Sequence, residues 1–93
     1  MFIYADSVIE EANQSAATLF GYSTAAELIG KNVLGFVPED ESEAFMNQML
    51  VATGRTASGF EANIVRSDGE IRIVESIVAP TRYRGKAATL VVH

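Results

Sequence analysis

The apolar residues of this chain follow two kinds of pattern, one in each half of the sequence. The first half opens with two short extended segments, Phe2–Tyr4 and Val8–Ala12, on either side of Asp6 and Ser7. Aspartate and serine readily form tight turns, so this stretch predicts a β-hairpin. From Ser58 onward the apolar residues recur with a period of two, which is typical of β-strands.

Between these two regions the sequence predicts short helices with clear start and stop residues. Asn13 precedes the first helical pattern, so its side chain is expected to accept a hydrogen bond from a free N–H at the helix start. Gly21 ends that helix, where a left-handed backbone conformation is needed. Ser23 or Thr24 begins a second short helix, with Glu27 in its first turn as in a capping box.

The third and longest predicted helix follows Pro38. Proline and the acidic segment Glu39–Glu41 are favoured at a helix start, because proline lacks a backbone N–H and the helix dipole favours negative charge. Apolar residues then recur on one helix face as far as Gly54, which predicts a helix of about three to four turns.

Three strands are predicted in the second half of the chain. The first alternates from Phe60 to Ile64, and the Ser67–Gly69 segment after it predicts a hairpin turn, because Asp-Gly tolerates positive φ. The long strand Ile71–Pro80 and the final strand Ala87–Val92 are apolar on both faces and are joined by a turn at Gly85. The element order predicts an α+β fold, an antiparallel sheet of about five strands with short helices packed on one face.

Several motifs resemble the signature of the PAS domain family. The segment Asn13–Lys31, with the sequence NQSAATLFGYSTAAELIGK, is similar to the family's asparagine-capped helix and the glycine-stopped helix after it. Phe36–Glu39 resembles the family's Pro-Glu turn, and Ser67–Gly69 and Tyr83–Lys86 resemble its two hairpins. The resemblance extends over 2–93 and implies one PAS-like sensory domain, with the fold predicted above.

Length and composition are those of one small globular domain. The chain has 93 residues, of which 48% are hydrophobic and 20% charged, so it has room for a single core. Its net charge of −5 argues against a nucleic-acid backbone or an anionic membrane as the main partner. No apolar run approaches the roughly 20 residues of a membrane-spanning helix. Cysteine is absent, which excludes disulfides and thiolate sites, and a cytoplasmic location is the default expectation.

The sequence offers little material for catalysis. His93 is the one histidine, and no Ser–His–acid set can be built around it unless the terminus folds back. The carboxylates between Glu39 and Glu43 fall in the first turn of a predicted helix, where acids complement the helix dipole more often than they bind metal. We therefore expect neither an enzyme nor a metal site.

A candidate ligand pocket lies between the predicted helices and the sheet. Aromatic and methionine side chains of the helical segments would face small side chains such as Ala62 and Ser76, and could leave a cavity for a small molecule. The alternative is a filled core, as close packing requires, in a ligand-free interaction domain. The candidate pocket residues are Phe20, Leu28, Ile29, Val33, Phe36, Phe45, Met46, Met49, Phe60, Ala62, Ile64 and Glu75.

The place of Glu75 depends on which face of its strand is turned inward. If Ile71, Ile73 and Ile77 face the core, Glu75 shares that face, and a buried carboxylate needs a partner or a ligand. With the opposite parity Glu75 lies on the outer surface, and of the two positions we favour the outer one. Asn63 on the neighbouring strand has the same ambiguity.

The outer side of the sheet is expected to be covered as well, because the last two strands are apolar on both faces. A symmetric partner or a terminal helix would cover it. We expect a homodimer. The candidate residues of the dimer face are Phe2, Tyr4, Val74, Val78, Leu90 and Val92.

The family resemblance also bears on cofactors. Haem-binding PAS domains use a histidine on the long helix, and residues 39–53 contain none. The flavin type that forms a cysteinyl adduct and the thioester-linked chromophore type both need a cysteine. We therefore expect none of these three cofactor types. A non-covalent flavin, a small carboxylate, a lipid-like ligand or no ligand remains open.

The resemblance implies a sensory and dimerisation module of a bacterial signal-transduction protein. Such proteins include histidine kinases of two-component systems, cyclic-dinucleotide enzymes and transcription regulators. We expect the domain at 1–93 to have been excised from a longer protein, with the output domain C-terminal to His93. We expect no nucleic-acid partner and no membrane contact by this segment.

Overall fold

The fold is described from a computed structural model that covers residues 1–53 and 58–93, without the side chains of residues 49–53, 58 and 60. Gly54, predicted to end the third helix, lies outside the described residues. The described strands and α-helices are β1 (Phe2–Ala5), β2 (Val8–Ala12), α1 (Gln14–Phe20), α2 (Ser42–Thr53), β3 (Ser58–Val65), β4 (Ile71–Tyr83) and β5 (Lys86–Val92). Single 3₁₀ turns cover Ala25–Glu27, Val33–Phe36 and Glu39–Glu41.

The five strands form one antiparallel sheet in the order β2-β1-β5-β4-β3. The last strand of the chain therefore lies at the centre of the sheet, between the first hairpin and the second. β1 and β5 pair with Phe2 opposite Val91, and β5 and β4 pair with Val91 opposite Val78. The predicted α+β fold, with five antiparallel strands and helices on one face, is confirmed.

The hairpin turns lie where the sequence predicts them. Asp6 and Ser7 both have positive φ, 52° and 66°, and Arg84 and Gly85 have φ of 51° and 81°. Two successive residues with positive φ make the turn whose twist matches a β-hairpin. Because the second of these turns has only two residues, pairing between β4 and β5 continues to Tyr83, and β4 is longer than predicted.

Both ends of α1 are capped as predicted. The Asn13 side chain accepts a hydrogen bond of 3.0 Å from the backbone N–H of Ala16. At the other end, Gly21 adopts φ 84°, and its N–H bonds back to the carbonyl of Thr18 at 3.1 Å. These two residues limit the helix to seven residues, so that it covers only part of the sheet.

The other helical segments begin with short turns. Glu27 accepts hydrogen bonds from the backbone N–H groups of Ser23 and Thr24, at 3.1 and 3.0 Å, but the element it caps is a single 3₁₀ turn. The acidic segment after Pro38 also forms a 3₁₀ turn, and α2 begins at Ser42, a few residues later than predicted. The hydroxyl of Ser42 donates to the carbonyl of Glu39 at 2.9 Å.

The core lies between the helical layer and one face of the sheet. Its aromatic centre is the stack of Phe20 on Phe36, whose ring centroids are 4.5 Å apart, with Phe2 edge-on to Phe20 at 5.7 Å. Such pairs add to the free energy already gained by removing the rings from water. The buried apolar residues of this cluster are Phe2, Tyr4, Ile9, Ala16, Ala17, Phe20, Leu28, Val33, Phe36, Val37, Phe45, Ile64, Val78 and Val91.

β4 turns its valines inward, which agrees with the outer position favoured for Glu75 and contradicts the assignment of Val74 and Val78 to the dimer face. Val78 is completely buried and Val74 packs against the core, whereas Ile73 is 72% exposed. The inward residues of β4 are Val74, Ser76 and Val78, which lie beneath the aromatic rings of the helical layer. The isoleucines of β4 therefore lie on the outer face, although they are the most apolar residues of the strand.

Four residues assigned to the dimer face belong to the core. Val74 and Val78 lie on the inward face of β4, and Phe2 and Tyr4 lie on the inward face of β1. Burial raises the pKa of the Tyr4 hydroxyl, against the opposing effect of its hydrogen bond with Thr89. The assignment of these four side chains to an outer interface was wrong.

Candidate functional site

The first candidate site is a small cavity between the helical layer and the inward face of the sheet. Its volume is about 30 Å³. Its walls are apolar apart from Ser76 on β4 and His93 at the end of β5. Six of the predicted pocket residues line it: Phe20, Val33, Phe36, Phe45, Ala62 and Ile64.

The other predicted pocket residues lie elsewhere or outside the described side chains. Leu28 is fully buried and Met46 is half-buried, while Ile29 is 43% exposed, so its assignment to the pocket was wrong. After a single 3₁₀ turn only one of two adjacent apolar residues can point inward, and Leu28 takes that position. The side chains of Met49 and Phe60 lie outside the described part of the chain.

Sequence reasoning missed several residues of the cavity wall. Phe2, Val74 and Val91 line the cavity from the sheet side, together with Ser76 and His93. Phe2 and Val74 were assigned to the other face of the sheet, which removed them from consideration. The spacing of Phe2 and Tyr4, two positions apart, indicates that both side chains lie on the same face of β1. It does not indicate whether that face is the inward one.

The volume of the cavity limits what it can hold. Pockets for cofactor-sized ligands typically measure about 300–1,000 Å³, roughly ten times more. A water molecule requires about 10–15 Å³ on the same kind of measure. The cavity is therefore large enough for a molecule of two or three heavy atoms.

His93 places an imidazole ring beside this cavity. The ring centroid lies 6.1 Å from that of Phe2 and 6.3 Å from that of Phe20. Removal from water lowers the pKa of His93, and the positive amino terminus of Met1 adds to the effect. The neutral imidazole is therefore the form that the folded domain favours.

The second candidate site is the outer face of the sheet, on the side away from the helices. Three isoleucines of β4 lie there with large exposed fractions, 59% for Ile71, 72% for Ile73 and 55% for Ile77. Val92 of β5 is opposite Ile77 and is 44% exposed, and Leu90 beside it is half-buried. Val92 and Leu90 are the two predicted dimer-face residues that the structure places on the outer face.

Two glutamates interrupt this apolar surface. Glu75 lies between Ile73 and Ile77 on β4 and is directly opposite Glu61 on β3. Both side chains are exposed, so Glu75 takes the outer position favoured from the sequence, and its inclusion among the candidate pocket residues was wrong. Neither carboxylate has a hydrogen bond or an ion pair with any residue that the structure describes.

Asn63, whose face was ambiguous from the sequence, lies on the edge strand β3. It lies opposite Ile73 in the strand register, and its side-chain amide donates to both carboxylate oxygens of Glu41, at 3.0 and 3.2 Å. This contact ties the edge strand β3 to the turn before α2. Asn63 therefore has a structural partner and does not belong to the outer surface that remains open.

An open depression of about 450 Å³ lies beside the two glutamates. Gly59, Glu61 and Glu75 form its rim, and Ile77 and Val92 form its apolar side. The depression exists because Gly59, opposite Ile77, contributes no side chain. The outer surface therefore consists of Ile71, Ile73, Ile77 and Val92 together with Gly59, Glu61 and Glu75.

Some functions find no support in the described residues. Within 1–53 and 58–93, no three His, Cys, Asp or Glu side chains are grouped closely enough to hold a metal ion. None of the helices described in those ranges has the length and apolar character needed to cross a membrane.

Comparison with known proteins identifies the family and the fold. A family model described as PAS domain matches residues 1–93, which is the whole chain. No curated protein matches the chain.

Several solved structures are similar to this chain over nearly its full length. The PAS domain of a protein from Colwellia psychrerythraea is 20% identical, with a TM-score of 0.80 over 98% of this chain and 80% of that chain. The PAS domain of an HTR-like protein from Haloarcula marismortui is 23% identical, with a TM-score of 0.76 over 97% of this chain and 74% of that chain. The PAS domain of a LuxR-family transcriptional regulator from Burkholderia thailandensis, in complex with ethanol, is 17% identical, with a TM-score of 0.74 over 98% of this chain and 84% of that chain. At these identities the likeness is evidence about the fold alone.

Proposed function

We propose that this chain, which belongs to the PAS domain family of sensory and signalling modules, acts by associating with another protein surface through the outer face of its sheet. One observation carries the proposal. Ile71, Ile73 and Ile77 are each more than half exposed, and with Val92 they form an apolar surface that is interrupted by Glu75 between Ile73 and Ile77. Large apolar side chains clustered on an exposed face are characteristic of protein interaction sites.

The position of these isoleucines in the sheet defines the kind of contact. β4 pairs with β3 over Ile71–Val78 and with β5 over Ile77–Tyr83. The side chains of the three isoleucines project from the outer face of the sheet, so a partner that buries them must cover that face. Another sheet face or an amphipathic helix meets that requirement.

The nearly filled core favours association over ligand capture as the main role. A cavity of about 30 Å³ does not accommodate a flavin or a haem. The aromatic stack around it is closely packed, with Phe20 and Phe36 centroids 4.5 Å apart. In such a domain the signal would pass through the surface that contacts the partner, and it would not originate in a large bound cofactor.

We further propose that the domain belongs to a longer signalling protein with a separate output domain. A histidine kinase, a cyclic-dinucleotide enzyme and a transcription regulator are the classes that we consider. One similar structure is the PAS domain of a transcriptional regulator, which supports the last of these as a candidate. β5 is suited to pass a displacement between partner and output, because it lies at the centre of the sheet and ends beside the cavity.

A second candidate function is the sensing of a very small molecule. One structurally similar PAS domain was solved in complex with ethanol, which has three heavy atoms. The cavity here has room for a molecule of that size, and Ser76 and His93 supply polar groups at its wall. A ligand of this kind, at free concentration L, would raise the stability of the domain by RT ln(1 + L/Kd), that is, with the logarithm of its concentration once the site is mostly occupied.

A pair of lysine substitutions tests the association. The domain is immobilised, and two analytes are passed over it: the free domain, and a synthetic amphipathic helical peptide of leucine and lysine. Ile73→Lys combined with Ile77→Lys is expected to abolish the response to at least one analyte. Ile29→Lys is the matched control, since Ile29 is also exposed but lies away from the sheet face.

The response of the double variant, compared with that of the control, decides whether the outer face is the interaction surface. Loss of response in the double variant, with the control unchanged, supports the outer face as the interaction surface. Equal response of the double variant and the control contradicts it. A circular dichroism spectrum of each variant establishes that its fold is retained, as expected for substitution of exposed side chains.

A further inference from the structure

The two glutamates of the outer surface lie in an unfavourable arrangement for the isolated domain. Glu61 and Glu75 face each other directly across β3 and β4. Like charges at directly opposite strand positions destabilise a sheet. Among the described residues, neither carboxylate has a cationic partner. The fold itself therefore gains nothing from this pair.

Gly59 is a second feature that the fold does not require. A Cβ atom placed at Gly59 would have one neighbour within 4 Å, the carbonyl oxygen of Ser76 at 3.8 Å, which is ordinary van der Waals contact. Glycine within a strand weakens it, and it often marks a place where another group approaches closely. Here the missing side chain opens the depression beside Glu61 and Glu75.

A second copy of the domain fits this surface poorly. Two copies facing each other would bring four carboxylates together at the centre of an apolar interface, where charges are costly to desolvate. The outward positions of β3, β4 and β5 that the structure describes include one basic residue, Lys86. Its ammonium group is already bound to Glu10 at 2.7 Å. His93 also lines the depression, but its pKa is lowered and it favours the neutral form, so a symmetric dimer brings no free lysine or arginine of this face to the glutamates.

An α-helix with a basic residue fits the same surface in spacing and in charge. Ile73, Glu75 and Ile77 are successive outward residues of β4, about 6.6 Å apart at a rise of about 3.3 Å per residue. Residues four apart on one side of a helix are about 6 Å apart along its axis. A helix carrying apolar, basic and apolar residues at i, i+4 and i+8 would therefore match the row on β4 position by position.

We infer that the outer surface binds an amphipathic helix that carries a lysine or arginine between two apolar residues, four positions from each. The basic side chain lies along the depression at Gly59 with its charged end between Glu61 and Glu75. Its aliphatic stem contacts Ile77 and Val92, as long basic side chains commonly do on apolar surface. This inference rests on the proposed function and specifies its partner.

Three matched peptides test the inference. Each is a helix-stabilised peptide of about 18 residues with leucine at positions i and i+8, and they differ at i+4, which is lysine, leucine or glutamate. Binding to the domain is measured by fluorescence anisotropy at low and at high salt. We expect the lysine peptide to bind about tenfold or more tightly than the glutamate peptide, with a preference that weakens as salt rises.

Variants of the domain assign the preference to the two glutamates. In the double variant Glu61→Gln and Glu75→Gln, the advantage of lysine over leucine is expected to disappear. Gly59→Val fills the depression and is expected to weaken binding of the lysine peptide, while the strand itself is stabilised or unchanged. Both sets of substitutions are at exposed positions, and thermal unfolding of each variant establishes that it folds.

The failure of this inference is distinguishable from that of the proposed function. Equal binding of all three peptides, abolished by Ile73→Lys with Ile77→Lys, would overturn the basic helix and leave the interaction face standing. So would the absence of peptide binding together with self-association that the same isoleucine substitutions remove. If neither a peptide nor a second copy engages the isoleucines, both the inference and the proposed function fail.

Discussion

A Cβ atom at position 21 would lie 2.6 Å from the Oγ atom of Ser67, so Gly21 and Ser67 are in direct contact across the edge of the core. The contact joins the end of α1 to the turn between β3 and β4. The backbone N–H of Ser67 donates to the carbonyl of Phe20 at 2.8 Å, and the guanidinium of Arg66 donates to the carbonyl of Leu19 at 3.0 Å. The helical layer is thereby fixed over the sheet at one end.

Gly21→Ala is expected to destabilise the domain strongly. Alanine at a φ of +84° is strained by about 1–2 kcal/mol, and the clash with Ser67 adds a cost typical of overpacking, about 1–3 kcal/mol. The loss is measured as the change in the free energy of unfolding in urea.

Gly69→Ala is the control for the strain alone. Gly69 has a similar φ of +86°, but a Cβ atom there would have no neighbour within 4 Å. Gly69→Ala should therefore cost about 1–2 kcal/mol, and combining Gly21→Ala with Ser67→Ala should recover part of the larger loss. An equal cost at both glycines would show that the packing against Ser67 is unimportant.

Two threonine substitutions test the parity of β4. Val78→Thr places a hydroxyl in the core and should lower the free energy of unfolding by about 1–3 kcal/mol, because Val78 is completely buried. Ile77→Thr keeps a β-branched side chain at an exposed position and should change it by less than about 0.5 kcal/mol. Thermal unfolding compares the two. The reverse ranking would contradict the inward position of Val78.

Glu75→Gln is expected to stabilise the isolated domain. Removing one charge relieves the repulsion with Glu61 on the facing strand, which is worth about 0.2–1 kcal/mol for opposed pairs. The melting temperature should rise slightly in low salt, and the gain should shrink in high salt because the charges are screened. Unchanged or lower stability in low salt would mean that the two carboxylates are held apart or are otherwise compensated.

His93 should make the stability of the domain depend on pH. Its pKa in the folded state is lowered from 6.5, so the unfolded chain binds the proton more readily. Stability from this residue is complete above about pH 6.5 and is lost as the pH falls from there to the lower folded-state pKa. Urea unfolding between neutral pH and about pH 5 should show a larger loss for the native chain than for His93→Gln. Parallel curves for the two proteins would remove His93 from this account.

Local features of the fold were predictable because their causes are local. Asn13 and Gly21 mark the two ends of α1 through hydrogen bonds to residues close in sequence. The positive φ values of Asp6 and Ser7 depend only on the turn that they form. The order of such elements was enough to predict the fold class.

The faces of the strands depend on interactions that are distant in sequence. β4 is apolar on both faces, so its periodicity fits either parity, and the choice follows from the aromatic side chains packed above it. The assignment of Val78 to the dimer face implied one parity and the outer position favoured for Glu75 implied the other. Val78 is completely buried while Ile77 is exposed, so the second parity is the one observed. The pocket was predicted on its helical wall and at Ala62 and Ile64 of β3, whereas Phe2 of β1 and Val74 of β4 were assigned to the wrong face.

The most informative feature of the outer surface could not be found from the sequence. Glu61 and Glu75 are fourteen positions apart, and only the register of β3 against β4 brings them opposite each other. The role of Gly59 in opening the depression likewise becomes apparent only from its position opposite Ile77. Pairing of this kind is set by the whole sheet.

An isoleucine-methyl NMR spectrum tests the central claim most directly, because the chain has isoleucines on both candidate sites. Ile71, Ile73 and Ile77 report on the outer surface, while the buried Ile9 and Ile64 report on the core. On addition of the lysine-containing helical peptide, the account predicts shifts of the three outer methyl signals with Ile9 and Ile64 unchanged. Shifts confined to Ile9 and Ile64, or no shift at all, would contradict it.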